Sequence, residues 1–150
     1  MAMTQEKLEA QRAWRKNNPE LYAEQKRRTL DSKHRKLAED FDFFVDYTYK
    51  SLKRGAIKRG ISFRLSRKQL YKFILTHTHC EVSGRKLTRI TGCPNRFSVD
   101  RIDSRYGYSI KNIQAVTQLL NMSKLDTAIS DYISLAMDIT KHQKRKAQVD

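Results

Sequence analysis

The chain has 150 residues, 31 of them Lys or Arg against 16 Asp or Glu, for a formal charge of +15 with histidine neutral. That length holds one compact domain with extensions, or two small modules sharing a core, and excludes a large multidomain enzyme. Such a charge points to a polyanion, because each Lys or Arg that neutralises a phosphate releases condensed counterions.

Nucleic acid leads among the polyanions. A membrane is disfavoured, since no run approaches the roughly 18 apolar residues of a spanning helix. The opening MAMTQEKLEAQRAWRK lacks the apolar centre of a signal peptide. Cys80 and Cys93 are too few for a disulfide framework and suit a reducing compartment. These features set an expectation of a soluble, non-secreted protein. Apolar residues are sparse before Phe41 and denser beyond it, which places the expected core in the later part of the chain.

Residues 5–16 read as a helix after Thr4. NNPE interrupts it, with Asn18 as N-cap and Pro19 at the first position of a second helix that runs to about residue 38. Both helices are polar on most sides, so they either lie on something charged or stand solvated. From 41 to 59, Phe41, Phe44, Val45, Leu52 and Ala56 recur at three- and four-residue intervals, the pattern of a helix packed on one face, and Gly60 ends it. ISFRL alternates as a short strand, and Ser66 with Gln69 forms a capping box that opens the helix RKQLYKFILTH.

Between Asp46 and Glu81 no acid occurs, while Lys50, Lys53, Arg54, Lys58, Arg59, Arg64, Arg67, Lys68 and Lys72 supply positive charge. A solvated face usually mixes both signs, and this one-signed stretch reads as a phosphate-tracking patch. Trp14, Tyr22, Tyr47, Tyr49 and Tyr71 are interspersed with basic residues and are able to stack on bases, but without an aromatic-bearing strand signature their default is packing.

VSGRKL is a turn, and RFSVDRI alternates as a half-buried strand with Phe97, Val99 and Arg101 on one side and Ser98, Asp100 and Ile102 on the other. DSRYGYS loops around Gly107, NIQAV is a second strand, and TQLLNMSKLD is a short helix capped by Thr117. An amphipathic helix spans 128–141, followed by the basic tail KHQKRK. Strand, loop, strand and helix, with an acid on the first strand and an Asn on the helix, bring two oxygen ligands together across a small ββα unit. A carboxylate and an amide oxygen suit a hard cation such as Mg²⁺, which keeps several waters and leaves positions for phosphate oxygens. Taken singly, each of these residues is more often a cap than a ligand; the ordered set carries the argument.

That ordered set, from CEVSG at residue 80 through SVDRID, GY and KNIQAV to NMSK, resembles the HNH (His-Me finger, ββα-metal) endonucleases. The lead-in GAIKRGISFRLSRKQLYKFI resembles that of phage-encoded, free-standing or homing members. The resemblance implies an α+β fold: a basic helical extension over 1–40, a helical DNA-binding lead-in over 41–79, a ββα nuclease domain over 80–141 and a basic tail over 142–150. It makes Asp100 and Asn121 the ligands of a single Mg²⁺, with Mn²⁺ as substitute. Asn112 becomes the brace of the loop, and Arg101 and Lys124 the groups that meet phosphate. The implied partner is double-stranded DNA, nicked or cut in a bacterial cytoplasm.

One departure is consequential. The family's general-base His normally follows the strand acid, and here Arg101 stands there; a related pattern with the His two residues further on meets Asp103 instead. Arginine stays protonated and accepts no proton. Four routes stay open: Asp103 as base, His77 or His79 swinging in, a metal-generated hydroxide with solvent taking the proton, or a site that binds without cutting. Asp103 leads among single residues, and Arg101 has an alternative role as its surface ion-pair partner. The non-catalytic alternative is a DNA-binding regulator or accessory subunit, and RNA is a third possible target. Structural Zn²⁺ is disfavoured, because Ser83, Thr117 and Leu120 stand where relatives complete two cysteine pairs, and a mixed site from His77 or His79 with both cysteines has irregular spacing.

Overall fold

The computed structural model describes residues 4–147. The chain divides into two units, Met1–Lys36 and Leu37–Asp150.

In the first unit, α1 (Gln5–Asn17) leads into α2 (Pro19–Glu39), whose last turn belongs to the second unit. Pro19 opens α2 because it has no N–H to leave unpaired. Asn18 occupies the expected N-cap position of α2, its carbonyl accepting from Tyr22 N–H at 3.0 Å, but its side chain turns back: Nδ2 donates to Trp14 O at 3.0 Å and the backbone N–H reaches the same carbonyl at 2.9 Å. The side chain therefore closes α1. No residue of α1 is buried, and the guanidinium of Arg15 lies over the Tyr22 ring at 5.0 Å. Exposed polar helices of this kind gain little from burial.

The second unit holds α3 (Phe41–Lys58), α4 (Arg67–Thr76), β1 (Phe97–Arg101), β2 (Ile113–Thr117), α5 (Gln118–Lys124) and α6 (Ile129–Lys146). Asp40 caps α3 by accepting from Phe43 N–H at 2.9 Å, and the Ser66–Gln69 capping box opens α4 in both directions. Gly60, at φ +65°, turns the chain out of α3. The core joins Leu37, Phe44, Leu70, Phe73, Phe97 and Val99, so the end of α2, both middle helices and one face of β1 share it. Arg89 fastens the end of α2 by donating twice to Ala38 O, at 3.1 and 2.9 Å, while its guanidinium lies over Phe41.

The fold is α+β with a two-stranded antiparallel sheet, in which Asp100 lies opposite Gln114 and Val99 opposite Ala115. The stretch ISFRL does not form a named strand. Its partner is the loop after β1 rather than another strand, and only Phe63 bridges, to Tyr108. Ser62 O accepts from Tyr108 N–H at 2.9 Å, and Arg64 N–H reaches Tyr108 O at 2.8 Å. Gly107 permits that approach, since a Cβ there would lie 2.2 Å from Ser62 O.

On the outer edge of β2, Glu81 N–H donates to Ala115 O at 2.8 Å and the Glu81 carboxylate accepts from Ala115 N–H. The turn that carries Glu81 is closed by backbone bonds from Cys80 N–H to Arg85 O and from Gly84 N–H to Cys80 O. The last helix runs further than its sequence pattern predicted and takes in most of the expected basic tail, ending at Lys146. Lys, Gln and Arg are good helix formers, and nothing there breaks the run. No helix among the described residues is long and apolar enough to cross a membrane.

Candidate active site

Successive residues of a strand face opposite ways. Phe97 and Val99 enter the core, so Ser98 and Asp100 lie on the other face. α5 follows β2 without a linker, capped by Thr117 Oγ1, which accepts from Leu120 N–H at 3.2 Å. Residues three apart share a helix face, so Asn121 and Lys124 both descend onto the polar face of β1. Asn121 Nδ2 donates to Ser98 Oγ at 2.7 Å and lies 3.5 Å from Val99 O. Because a carbonyl only accepts, the amide nitrogen is the atom turned to the strand, and Oδ1, the atom able to ligate a cation, is turned from it.

Asp100 is 7% exposed and Lys124 4%. The Lys124 ammonium stands 3.2 Å from Asp100 Oδ2. Its other bonds go to Thr127 O at 3.2 Å and Leu125 O at 3.3 Å. The ammonium is thus held by two carbonyls and one carboxylate. Gln114, opposite Asp100 across the hairpin, donates to the same Oδ2 at 2.9 Å. Sequence reasoning assigned no role to Gln114 or Ser98, although the register of two alternating strands was the available signal for both. Lys124 itself is not the phosphate-facing group expected of it, since its charge is enclosed and paired.

Arg101 points to the opposite side and is buried as well. Its Nη1 donates to Ser104 O at 2.6 Å and Tyr106 O at 3.0 Å, its Nη2 to Asp126 Oδ1 at 3.3 Å, and the guanidinium lies over the Tyr108 ring. These bonds close the loop after β1. They replace both roles read from the sequence, the phosphate clamp and the ion pair with Asp103. Asn112 completes the closure: its Oδ1 accepts from Asp103 N–H, and its Nδ2 donates to Asp103 O and Gly107 O, each at 3.0 Å.

Asp103 pairs with Arg105, whose Nη2 lies 2.6 Å from Oδ2. Hydrogen bonds from the Arg105 side chain and backbone hold the Asp103 carboxyl below the ordinary carboxylate range, which makes it a weaker proton acceptor. His77 Nδ1 lies 2.8 Å from Phe73 O and its ring stacks on Phe73, while Nε2 is 3.9 Å from Glu81. His77 lines a cleft with Phe97, on the face of β1 opposite to the one that carries Asp100. His79 Nδ1 meets Thr78 Oγ1 at 3.0 Å.

On α3, the segment after it and the start of α4, Lys50, Lys53, Arg54, Lys58, Arg64 and Lys68 are exposed. Arg67 differs from them. Asp46 and Asp42 of α3 reach across to its guanidinium and raise its pKa, Asp46 most strongly. Arg59 donates to Tyr108 OH at 3.1 Å and so joins the lead-in to the loop after β1. The acid-free stretch seen in the sequence is thus partly neutralised from outside its own span.

A β-hairpin followed directly by a helix that lays polar side chains on one strand is the ββα arrangement, and this chain has the HNH-type fold. Among solved structures it is similar to the rare-cutting HNH restriction endonuclease PacI, reported for an extraordinary mechanism of DNA perturbation. The TM-score is 0.50 and the identity 20%, covering 69% of this chain and 81% of that one. No family model and no curated protein matches the chain.

Proposed function

We propose that the protein is a DNA endonuclease that hydrolyses phosphodiester bonds at the polar face of its hairpin, with one Mg²⁺ held by Asp100 and Asn121. The observation that carries this reading is the burial of Asp100 together with Lys124. Well-packed apolar residues in place of a buried ion pair are often as stable or more so, so the retention of one on the ββα hairpin favours a functional role for the acid.

The residues fit the ion. A carboxylate oxygen and an amide oxygen are hard donors, and Mg²⁺ needs few of them because it keeps its waters. When bound, the ion supplies the charge that polarises the scissile phosphate and steadies the leaving oxygen. Asp100 and Asn121 hold it; Gln114 and Lys124 fix the carboxylate; Arg101 and Asn112 keep the loop beside it closed. The exposed cations of α3 and α4 take backbone phosphates of duplex DNA. The proton of the attacking water passes to solvent, because Arg105 ties up Asp103 and Phe73 and Glu81 engage His77.

The test is relaxation of supercoiled plasmid with Mg²⁺, with Mg²⁺ plus EDTA, and with Asp100→Ala. Nicking in the first condition alone supports the enzyme. Intact plasmid in Mg²⁺ and in Mn²⁺, with retarded mobility showing that DNA is bound, supports a second reading: a DNA-binding protein on an HNH-type scaffold. That reading is favoured by Arg101, which stands at the general-base position and bonds the loop instead.

A further inference from the structure

We propose that Gln114 and Lys124 make the site selective for a small divalent ion, by holding one oxygen of Asp100 so that only the other is offered. The inference rests on the reading of Asp100 as a metal ligand and adds to it which ion the site prefers. Gln114 Nε2 donates to Oδ2 at 2.9 Å, the Lys124 ammonium makes its nearest ion-pair contact with the same oxygen at 3.2 Å, and no hydrogen bond reaches Oδ1 among the described residues. The enclosed side-chain polar atoms without a partner among the described residues are Thr91 Oγ1 and Arg96 Nε, so Oδ1 is not sealed in unsatisfied.

Each clamp is built to stay in place. The ammonium of Lys124 is held by hydrogen bonds to Leu125 O and Thr127 O and by its ion pair with Asp100. Gln114 is fixed by the strand register, directly across from Asp100. A carboxylate held in this way ligates through a single oxygen. Mg²⁺ and Mn²⁺ accept single-oxygen carboxylates in near-octahedral shells, whereas Ca²⁺ gains from carboxylates that supply both oxygens and from larger ligand counts. Gln114 and Lys124 are therefore positioning residues: they touch the ligand's second oxygen and decide how many oxygens it gives.

The experiment is calorimetric titration of the full chain, without DNA, with Mn²⁺ and separately with Ca²⁺. The proteins are wild type, Asp100→Ala, and two variants of different shape, Gln114→Met and Gln114→Leu, each checked for a native circular dichroism spectrum. The wild type is expected to bind Mn²⁺ in preference to Ca²⁺ and to lose both with Asp100→Ala. Each Gln114 variant is expected to weaken Mn²⁺ by about tenfold or more, the scale on which partners of metal ligands act, and to narrow the gap to Ca²⁺. If either folded variant binds Mn²⁺ through Asp100 with an unchanged preference over Ca²⁺, the selectivity inference is overturned and the metal site stands. Should the wild type bind neither ion through Asp100, both are overturned.

Discussion

The surface of α3 and the polar face of the hairpin use charge in opposite ways. On α3, Lys50, Lys53, Arg54 and Lys58 stand in solvent on one helix, where a charge is free to meet phosphate and to leave it again. Around the hairpin, Asp100 and Arg101 on opposite faces of β1 and Lys124 of α5 are each less than a tenth exposed, and each has specific partners. The first arrangement suits affinity that depends on salt and little on shape. The second suits geometry, because a buried charge with matched partners cannot be moved without cost. Arg67 lies between the two: exposed, but tied to Asp42 and Asp46.

The contrast is broken most severely at Lys124. Lys124→Met leaves the Asp100 carboxylate enclosed without its cation and is expected to cost about 3–5 kcal/mol in urea unfolding, the range for removing one partner of a buried pair. Near-wild-type stability would mean that the pair is not buried in solution. Gly107→Ala comes next. A Cβ would meet Ser62 backbone at 2.2 Å, so the loop must part from the lead-in, with a loss of about 2 kcal/mol measured the same way.

On the exposed side, Lys50→Gln with Lys53→Gln is expected to leave stability within about 0.5 kcal/mol while lowering the slope of log binding constant against log salt by about 1.8, roughly 0.9 for each phosphate no longer neutralised. Arg67→Gln, already neutralised by two acids, should change that slope less than either lysine. An equal change would show that DNA pulls Arg67 away from its acids.

The smallest effect concerns pH. Arg105 holds the Asp103 carboxyl below its usual range. A group with a depressed folded value is already ionised above its unfolded value and loses that state only as pH falls through the folded one. If Asp103 were the base, cleavage would be flat through neutrality. If solvent takes the proton, the rate should rise steadily with pH, and a plateau would contradict that.

Much of the architecture is legible in the residues. The capping box at Ser66, the end of α3 at Gly60, the alternation of FSVDR and the Thr117 cap follow from local chemistry that tertiary packing did not override. ISFRL fails as a strand for a nonlocal reason: alternation shows which side chains are buried but not whether a straight partner is present. The same limit governs the site. The i, i+3 spacing of Asn121 and Lys124 puts both on one face of α5, and strand alternation separates Asp100 from Arg101. That Lys124 would pair inward with Asp100, that Asp103 would take Arg105, and that Asp42 and Asp46 would neutralise Arg67 depend on distances that no periodicity records. Arg101 is the clearest case, because an arginine next to a candidate metal ligand suggests phosphate, while the strand turns it to the loop carbonyls of Ser104 and Tyr106.

The central claim, that one divalent ion sits between Asp100 and Asn121, is tested most directly by titrating Mn²⁺ into the isotope-labelled protein and following line broadening of each backbone amide. The account predicts broadening centred on residues 98–101, 113–115 and 120–124 that disappears in Asp100→Asn. Broadening centred on exposed acids elsewhere, or unchanged by that substitution, would contradict it.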